Sequence, residues 1–219
     1  MLETIILTGM ILEVGPVNDY DRRLVILTKE RGRITAFCRG ARRQNNRLMA
    51  ATNPFAFGKF KLYEGKSAYN VTDAEISYYF EELREDFEGA YLGMYFLEFA
   101  SYYTRENNDE REMLKLLFQS VRAIIKPNLD NKLIRSVFEI KVLAINGEFP
   151  GLPRGRTYSE GLKKTVDFIV STPTERLYTF VLSDSVLNEL NDLSKFYMER
   201  YVERRFKSLE MLDNSLLKL

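Results

Sequence analysis

The chain has 219 residues, 45% of them hydrophobic and 29% charged, with 12 Gly and 6 Pro, which excludes collagen-like, low-complexity and disordered readings and predicts a packed core. It has no histidine and a single cysteine, Cys38, so histidine-based catalytic triads, an internal disulfide and a cysteine-rich zinc site are all removed. The formal net charge of +1 hides an asymmetry: residues 22–66 carry 12 Lys and Arg against Glu30 and Glu64, whereas residues 67–130 carry 6 against 13 acids.

Residues 4–14 read as a strand, with Ile5, Leu7, Gly9 and Ile11 alternating with Met10, Leu12 and Val14 partly offset, and Gly15-Pro16 is expected to break it. The N-terminus places Glu3 where a signal peptide wants positive charge, and no apolar run approaches the roughly 18 residues of a membrane span. With the lone cysteine, this predicts a reducing, cytoplasmic setting. Residues 22–28 and 33–41 form a hairpin across Glu30-Arg31-Gly32. In its second arm Ile34, Ala36 and Cys38 alternate with Arg33, Thr35, Phe37 and Arg39, which puts basic and aromatic groups on one face and makes Cys38 a small core residue.

Residues 40–53 lack alternation and are rich in Gly, Asn and Arg, so an exposed connection is expected. Residues 55–63 and 68–76 complete five strands, with Phe55, Phe57, Phe60 and Tyr63 around Lys59 and Lys61. Five short strands before any long helix predict an α+β chain: a small closed β-barrel of the OB type over residues 1–80, then an all-α domain over residues 81–219. Helical stripes follow. Residues 88–104 carry Leu92, Tyr95, Phe96, Phe99 and Tyr103; residues 110–126 carry Met113, Leu116, Leu117, Val121 and Ile124; residues 132–146 carry Leu133, Val137, Ile140 and Leu143 before Gly147. A long connection with room for one helix is expected at about 147–175. Ser183 or Ser185 then caps a helix running through Leu187, Leu190, Leu193, Tyr197 and Tyr201 toward Phe206.

A basic block of this density either attracts a polyanion by counterion release, with nucleic acid the leading partner, or is a solvated loop whose arginines pair with the acidic block that follows; charge alone leaves both open.

The order of pieces resembles the RecO recombination-mediator family of bacterial DNA repair proteins. The likeness is carried by TGMILEV, by Asp21-Arg22-Arg23-Leu24, Lys29-Glu30-Arg31-Gly32 and Gly40-Ala41-Arg42-Arg43, by FAFGKFKLYEG and YNVTDAEI, by IRSVFEIKVLAINGEFP, and by FKSLEML at residues 206–212. One departure stands out: many relatives carry a four-cysteine zinc element where this chain has Gly151-Leu152-Pro153-Arg154-Gly155-Arg156. Residues 151–174 must then be held by packing or be mobile.

The resemblance implies a non-catalytic protein of the bacterial cytoplasm and nucleoid, without cofactor, metal or small-molecule substrate. It would bind single- and double-stranded DNA, anneal complementary strands, and load recombinase with RecR onto strands coated by single-strand binding protein. On that reading Arg31, Arg33, Arg39, Arg42, Arg43, Arg47, Lys59 and Lys61 are candidate phosphate contacts, and Phe37 either stacks on a base or packs against the helical domain. The family's engagement of the acidic, Phe-ending tail of single-strand binding protein points to a cation beside an apolar groove, for which Lys132, Arg135 and Lys141 are the candidates. Two other classes stay open: a metal-dependent nuclease or phosphotransferase using Asp73, Glu75, Glu81, Glu82, Glu85 and Asp86, and an OB-type RNA-binding factor. Against the former, Glu81, Glu82, Glu85 and Asp86 suit a solvated helix entry.

Overall fold

The computed structural model describes residues 3–216. Five strands, β1 (Thr4–Val17), β2 (Asp21–Thr28), β3 (Gly32–Cys38), β4 (Phe57–Glu64) and β5 (Tyr69–Tyr78), close into a barrel in the order β1-β2-β3-β5-β4. All neighbours are antiparallel except β3 and β5, which meet in parallel at Ala36 opposite Tyr69 and Phe37 opposite Asn70. This is the expected OB-type barrel, followed by helices.

Strand alternation fills the barrel: Leu7, Ile11, Leu24, Ile26, Ile34, Ala36, Cys38, Phe60, Leu62 and Val71 share one buried cluster. The register of β1 against β2 shifts between Ile11 and Glu13, a bulge that bends β1 so that its first half pairs with β4 and its second with β2. Gly9 sits at that crossing, and a Cβ there would overlap the Leu27 carbonyl. The break expected at Gly15-Pro16 does not occur. Pro16 pairs with Arg22 beyond the point where β1 leaves β4, so its missing N–H costs no bond on that edge. The turn falls instead at Asn18, whose φ is +50°.

Residues 40–53 are not simply an exposed connection. They contain a short helix, α1 (Leu48–Ala51), and Ala41, Leu48 and Ala51 join the barrel cluster, closing one end of it.

By compactness the described residues fall into two units, with the division inside the second and third helices. One unit is the chain up to Glu85 with Phe96–Leu114, and the other is Asp86–Tyr95 with everything from Lys115 on. In the first unit, Val25 and Leu27 point away from the barrel interior yet are buried. Segment Phe96–Leu114 belongs to the same unit and is bonded to the barrel. Ser101 Oγ donates to Glu13 Oε1 at 2.6 Å, Arg33 Nε donates to the Thr104 carbonyl at 3.0 Å, and Gly32 bridges to Glu106. A Cβ on Gly32 would overlap the Arg105 carbonyl, and its φ is +64°.

The helices are α2 (Phe87–Tyr103), α3 (Arg111–Ile124), α4 (Asn131–Ile145), α5 (Glu160–Ser171), α6 (Asp184–Tyr201) and α7 (Lys207–Leu216). Their apolar stripes are buried as predicted: Leu116, Leu117 and Val121 on α3, and Leu133, Val137, Ile140 and Leu143 on α4. The expected long connection holds α5 after a stretch ending at Ser159, whose Oγ accepts the Leu162 amide as an N-cap. The helix expected to run on to Phe206 stops at Tyr201, where Val202 turns extended, and Phe206 leads into α7.

Candidate nucleic-acid interface

Within the barrel unit the basic block divides by strand register. Arg22 faces inward at the end of β2, opposite Cys38. Its Nη1 donates to the Met49 and Thr52 carbonyls at 2.8 and 3.1 Å, to Thr52 Oγ1 at 2.8 Å and to Asn53 Oδ1 at 3.1 Å, which satisfies the carbonyls left open at the end of α1. Burial draws its pKa below the ordinary guanidinium value, and the neighbouring Arg42 adds to the effect. Arg23, one residue on, points outward opposite Phe37.

The loop after β3 is knitted to the turn before β2. Asp21 Oδ1 accepts the Gly40 amide at 2.7 Å, the Arg42 amide donates to the Tyr20 carbonyl at 2.8 Å, and Asn46 Nδ2 donates to the Gly40 carbonyl at 2.7 Å. Arg43 lies over the Tyr20 ring at 5.1 Å, and Arg42 Nη1 reaches the Asn18 carbonyl. The fold thus gathers Arg23, Arg39, Arg42 and Arg43 with Tyr20 and Phe37 at one end of the hairpin, while Arg47, 72% exposed, follows in the same loop.

The other expected DNA contacts are distributed differently. Arg31 is exposed in the β2–β3 turn, separated from Arg39 by the whole of β3, roughly 25 Å at strand rise. Arg33 is partly buried against the Thr104 carbonyl. Lys59 and Lys61 are exposed on β4, but the residues opposite them on β5 are Glu75 and Asp73, and Arg47 Nη2 lies 3.4 Å from Asp73 Oδ1. Acids drawn from the following block therefore dilute the positive field on that face. Phe37 is partly buried on the outer face of β3. Tyr20 and Arg23 were not among the sequence-derived candidates; their signal is position, one in the turn before β2 and one at an outward-facing register.

In the helical unit, Arg135 is 24% exposed and tied to a buried carboxylate: its Nε donates to Glu139 Oε1 at 2.9 Å, and its guanidinium lies over the Tyr95 ring at 5.6 Å. Glu139, 2% exposed, also accepts Tyr95 Oη at 2.7 Å and Ser194 Oγ at 2.5 Å, so the buried carboxylate is satisfied by three donors. Burial, with the adjacent Glu139, raises the Tyr95 hydroxyl well above its ordinary value. Arg135 lines a groove of about 280 Å³ with Lys195, Arg204 and Arg205 as further cations, Met198, Val202, Phe206 and Leu209 as apolar wall, and the carboxylates of Glu199, Glu210 and Asp213 also on its lining. Lys132 is exposed three residues earlier. Lys141 is 6% exposed, and its Nζ donates to the Val170 and Thr172 carbonyls at 3.0 and 2.8 Å, closing the end of α5 rather than facing a ligand.

Residues 149–156 include neither Cys nor His, so they do not fit a four-cysteine zinc element. Packing takes its place: Phe149 meets the Tyr197 ring edge-on at 5.3 Å, Tyr197 Oη donates to the Gly151 carbonyl, and Arg156 lies over Phe196 at 5.1 Å. The acids of the nuclease alternative are not brought together. Asp73 faces Arg47, Asp86 accepts the Gly89 amide as a cap to α2, and among the described residues no three acidic or thiol side chains are grouped to hold a metal ion. No helix among the described residues is long and apolar enough to cross a membrane.

Comparison with known proteins gives matches along most of the chain. A family model described as "Recombination protein O N terminal" matches residues 1–80, and one described as "Recombination protein O C terminal" matches residues 84–154. A "DNA repair protein RecO" of Acetivibrio thermocellus is 25% identical over 237 residues, 94% of each chain. One of Symbiobacterium thermophilum is 26% identical over 240 residues, 94% of this chain and 95% of that protein. One of Alkaliphilus metalliredigens is 32% identical over 144 residues, 66% of this chain and 58% of that protein.

Proposed function

The chain belongs to the recombination protein O family, whose members carry the name DNA repair protein, and from that premise we propose that it is a non-catalytic DNA-binding mediator of recombination in the bacterial cytoplasm. It holds single- and double-stranded DNA on its OB barrel, anneals complementary strands, and with RecR helps load recombinase onto strands coated by single-strand binding protein.

The observation that carries this reading is the arginine cluster at one end of the barrel, Arg23, Arg39, Arg42 and Arg43 with Tyr20 and Phe37, held by Asp21 and the backbone bonds of the loop. Annealing two like-charged strands needs phosphates neutralised without bases being trapped, and exchangeable guanidinium contacts suit that task. The two rings offer stacking surfaces worth about 1–3 kcal/mol per base where a base reaches them. The groove of the helical unit, with Arg135, Lys195, Arg204 and Arg205 around an apolar wall, suits the acidic, Phe-ending tail of single-strand binding protein.

The deciding experiment is annealing of complementary oligonucleotides coated with single-strand binding protein, with tail-deleted protein as control. Accelerated annealing that weakens when the tail is removed supports the reading. Absence of annealing on both naked and coated strands overturns it, as does magnesium-dependent cleavage of labelled DNA or a clear preference for RNA of the same length.

A further inference from the structure

We propose that α7 is an intramolecular competitor for the groove's acidic ligand: Asp213 occupies Arg135 in the resting chain and gives it up when the carboxylates of an acidic peptide arrive. This rests on reading the groove as a docking site for an acidic, Phe-ending tail.

The two acids on Arg135 are not equivalent. Glu139 is buried, belongs to the same helix one turn on, and meets Nε at 2.9 Å, within the range of a charge-assisted hydrogen bond. It fixes the guanidinium plane against Tyr95. Asp213 approaches Nη1 only to 3.6 Å and is 57% exposed. A long, solvated pair of this kind contributes little and exchanges readily. The guanidinium is therefore preset by one carboxylate, while its outer edge carries a second that is replaceable.

The element bearing Asp213 is joined to α6 by a non-helical stretch. After Tyr201 the chain leaves the helix with Val202 extended, and helical geometry resumes only at Lys207. Across that stretch α7 supplies Leu209, Glu210 and Asp213 to the groove, and Phe206 just before it packs edge-on against Tyr95 at 5.2 Å. Phe206 and Leu209 thus belong to the apolar wall of the groove, and the Asp213 carboxylate stands at Arg135, where a carboxylate of the ligand would bind.

The test is binding of a fluorescein-labelled Asp-rich peptide ending in Phe with a free carboxylate, followed by anisotropy on the full chain. Asp213→Asn is expected to tighten binding by about two- to fivefold, the scale of one exposed ion pair removed from competition. Glu210→Gln removes an acid from the same wall without touching the Arg135 pair and is expected to change affinity less. Equal gains in the two variants, or no gain in Asp213→Asn, overturn the competitor role while leaving docking intact. Charge reversal at the exposed Lys195 and Arg205 (Lys195→Glu with Arg205→Glu) tests the docking itself. Loss of binding supports it; unchanged binding removes the groove as the docking site and α7's role with it.

Discussion

The carboxylate of Asp21 and the amide of Gly40, nineteen residues apart, are joined by a 2.7 Å hydrogen bond that ties the arginine loop to the first residue of β2. Gly40 takes a φ of +67°, so the chain turns sharply there and delivers Arg42 and Arg43 back toward Tyr20. Asp21→Ala should cost about 1–3 kcal/mol in urea denaturation, the range for losing a hydrogen bond to a charged group, and should speed amide exchange at Gly40. An unchanged midpoint would mean that the loop's other ties, from Arg42 to Tyr20 and from Asn46 to Gly40, hold it without Asp21.

Arg42→Ala combined with Arg43→Ala should weaken DNA binding and reduce the slope of log affinity against log salt by up to about two, with little change in melting temperature. Lys59→Ala combined with Lys61→Ala removes the same formal charge, yet its effect should be smaller, because Glu75 and Asp73 stand opposite those lysines. Filter binding across a salt series separates the pairs. A larger loss from the lysine pair would move the interface to β4.

Burial in the barrel pushes the Cys38 thiol up to about 11 from its ordinary 9.0. A folded-state value raised above the unfolded one means that the stabilisation is complete below pH 9 and is lost as pH climbs from 9 toward 11, since the unfolded thiol ionises first. The urea midpoint should fall across that window, and Cys38→Ala should flatten the part due to this thiol. Iodoacetamide at pH 8 should label Cys38 only after denaturation; rapid labelling of the native chain would contradict the burial.

Tyr197 holds the stretch after α4 through its hydroxyl and its ring. A chelator should leave the melting temperature unchanged, whereas Tyr197→Phe, which removes the bond to the Gly151 carbonyl, should cost about 1 kcal/mol. A chelator-induced drop in calorimetry would show that a metal is held after all.

Much of the fold was legible because its signals are local. The alternation through Ile34, Ala36 and Cys38 and the stripe through Leu133, Val137 and Ile140 each report a buried face without reference to the rest of the chain. Pro16 was misleading because its reading depends on which edge of β1 has a partner, and that is settled by a bulge four residues earlier. Of the candidate site residues, the arginines of the loop are brought together, while Arg31 and Arg33 are carried elsewhere by the hairpin's length and Lys141 is drawn into capping α5.

By itself the amino-acid order determined five strands followed by amphipathic helices, an early cationic block, and the impossibility of a histidine or multi-cysteine site, since periodicity, charge density and residue type require no knowledge of neighbours in space. Tertiary structure alone decided that Arg22 staples α1 while Arg23 beside it faces solvent, that Asp73 and Glu75 stand across from Lys61 and Lys59, and that Asp213 reaches Arg135. Each of those outcomes depends on which face a side chain takes and which distant segment meets it, and such pairings arise only when strands register and helices pack.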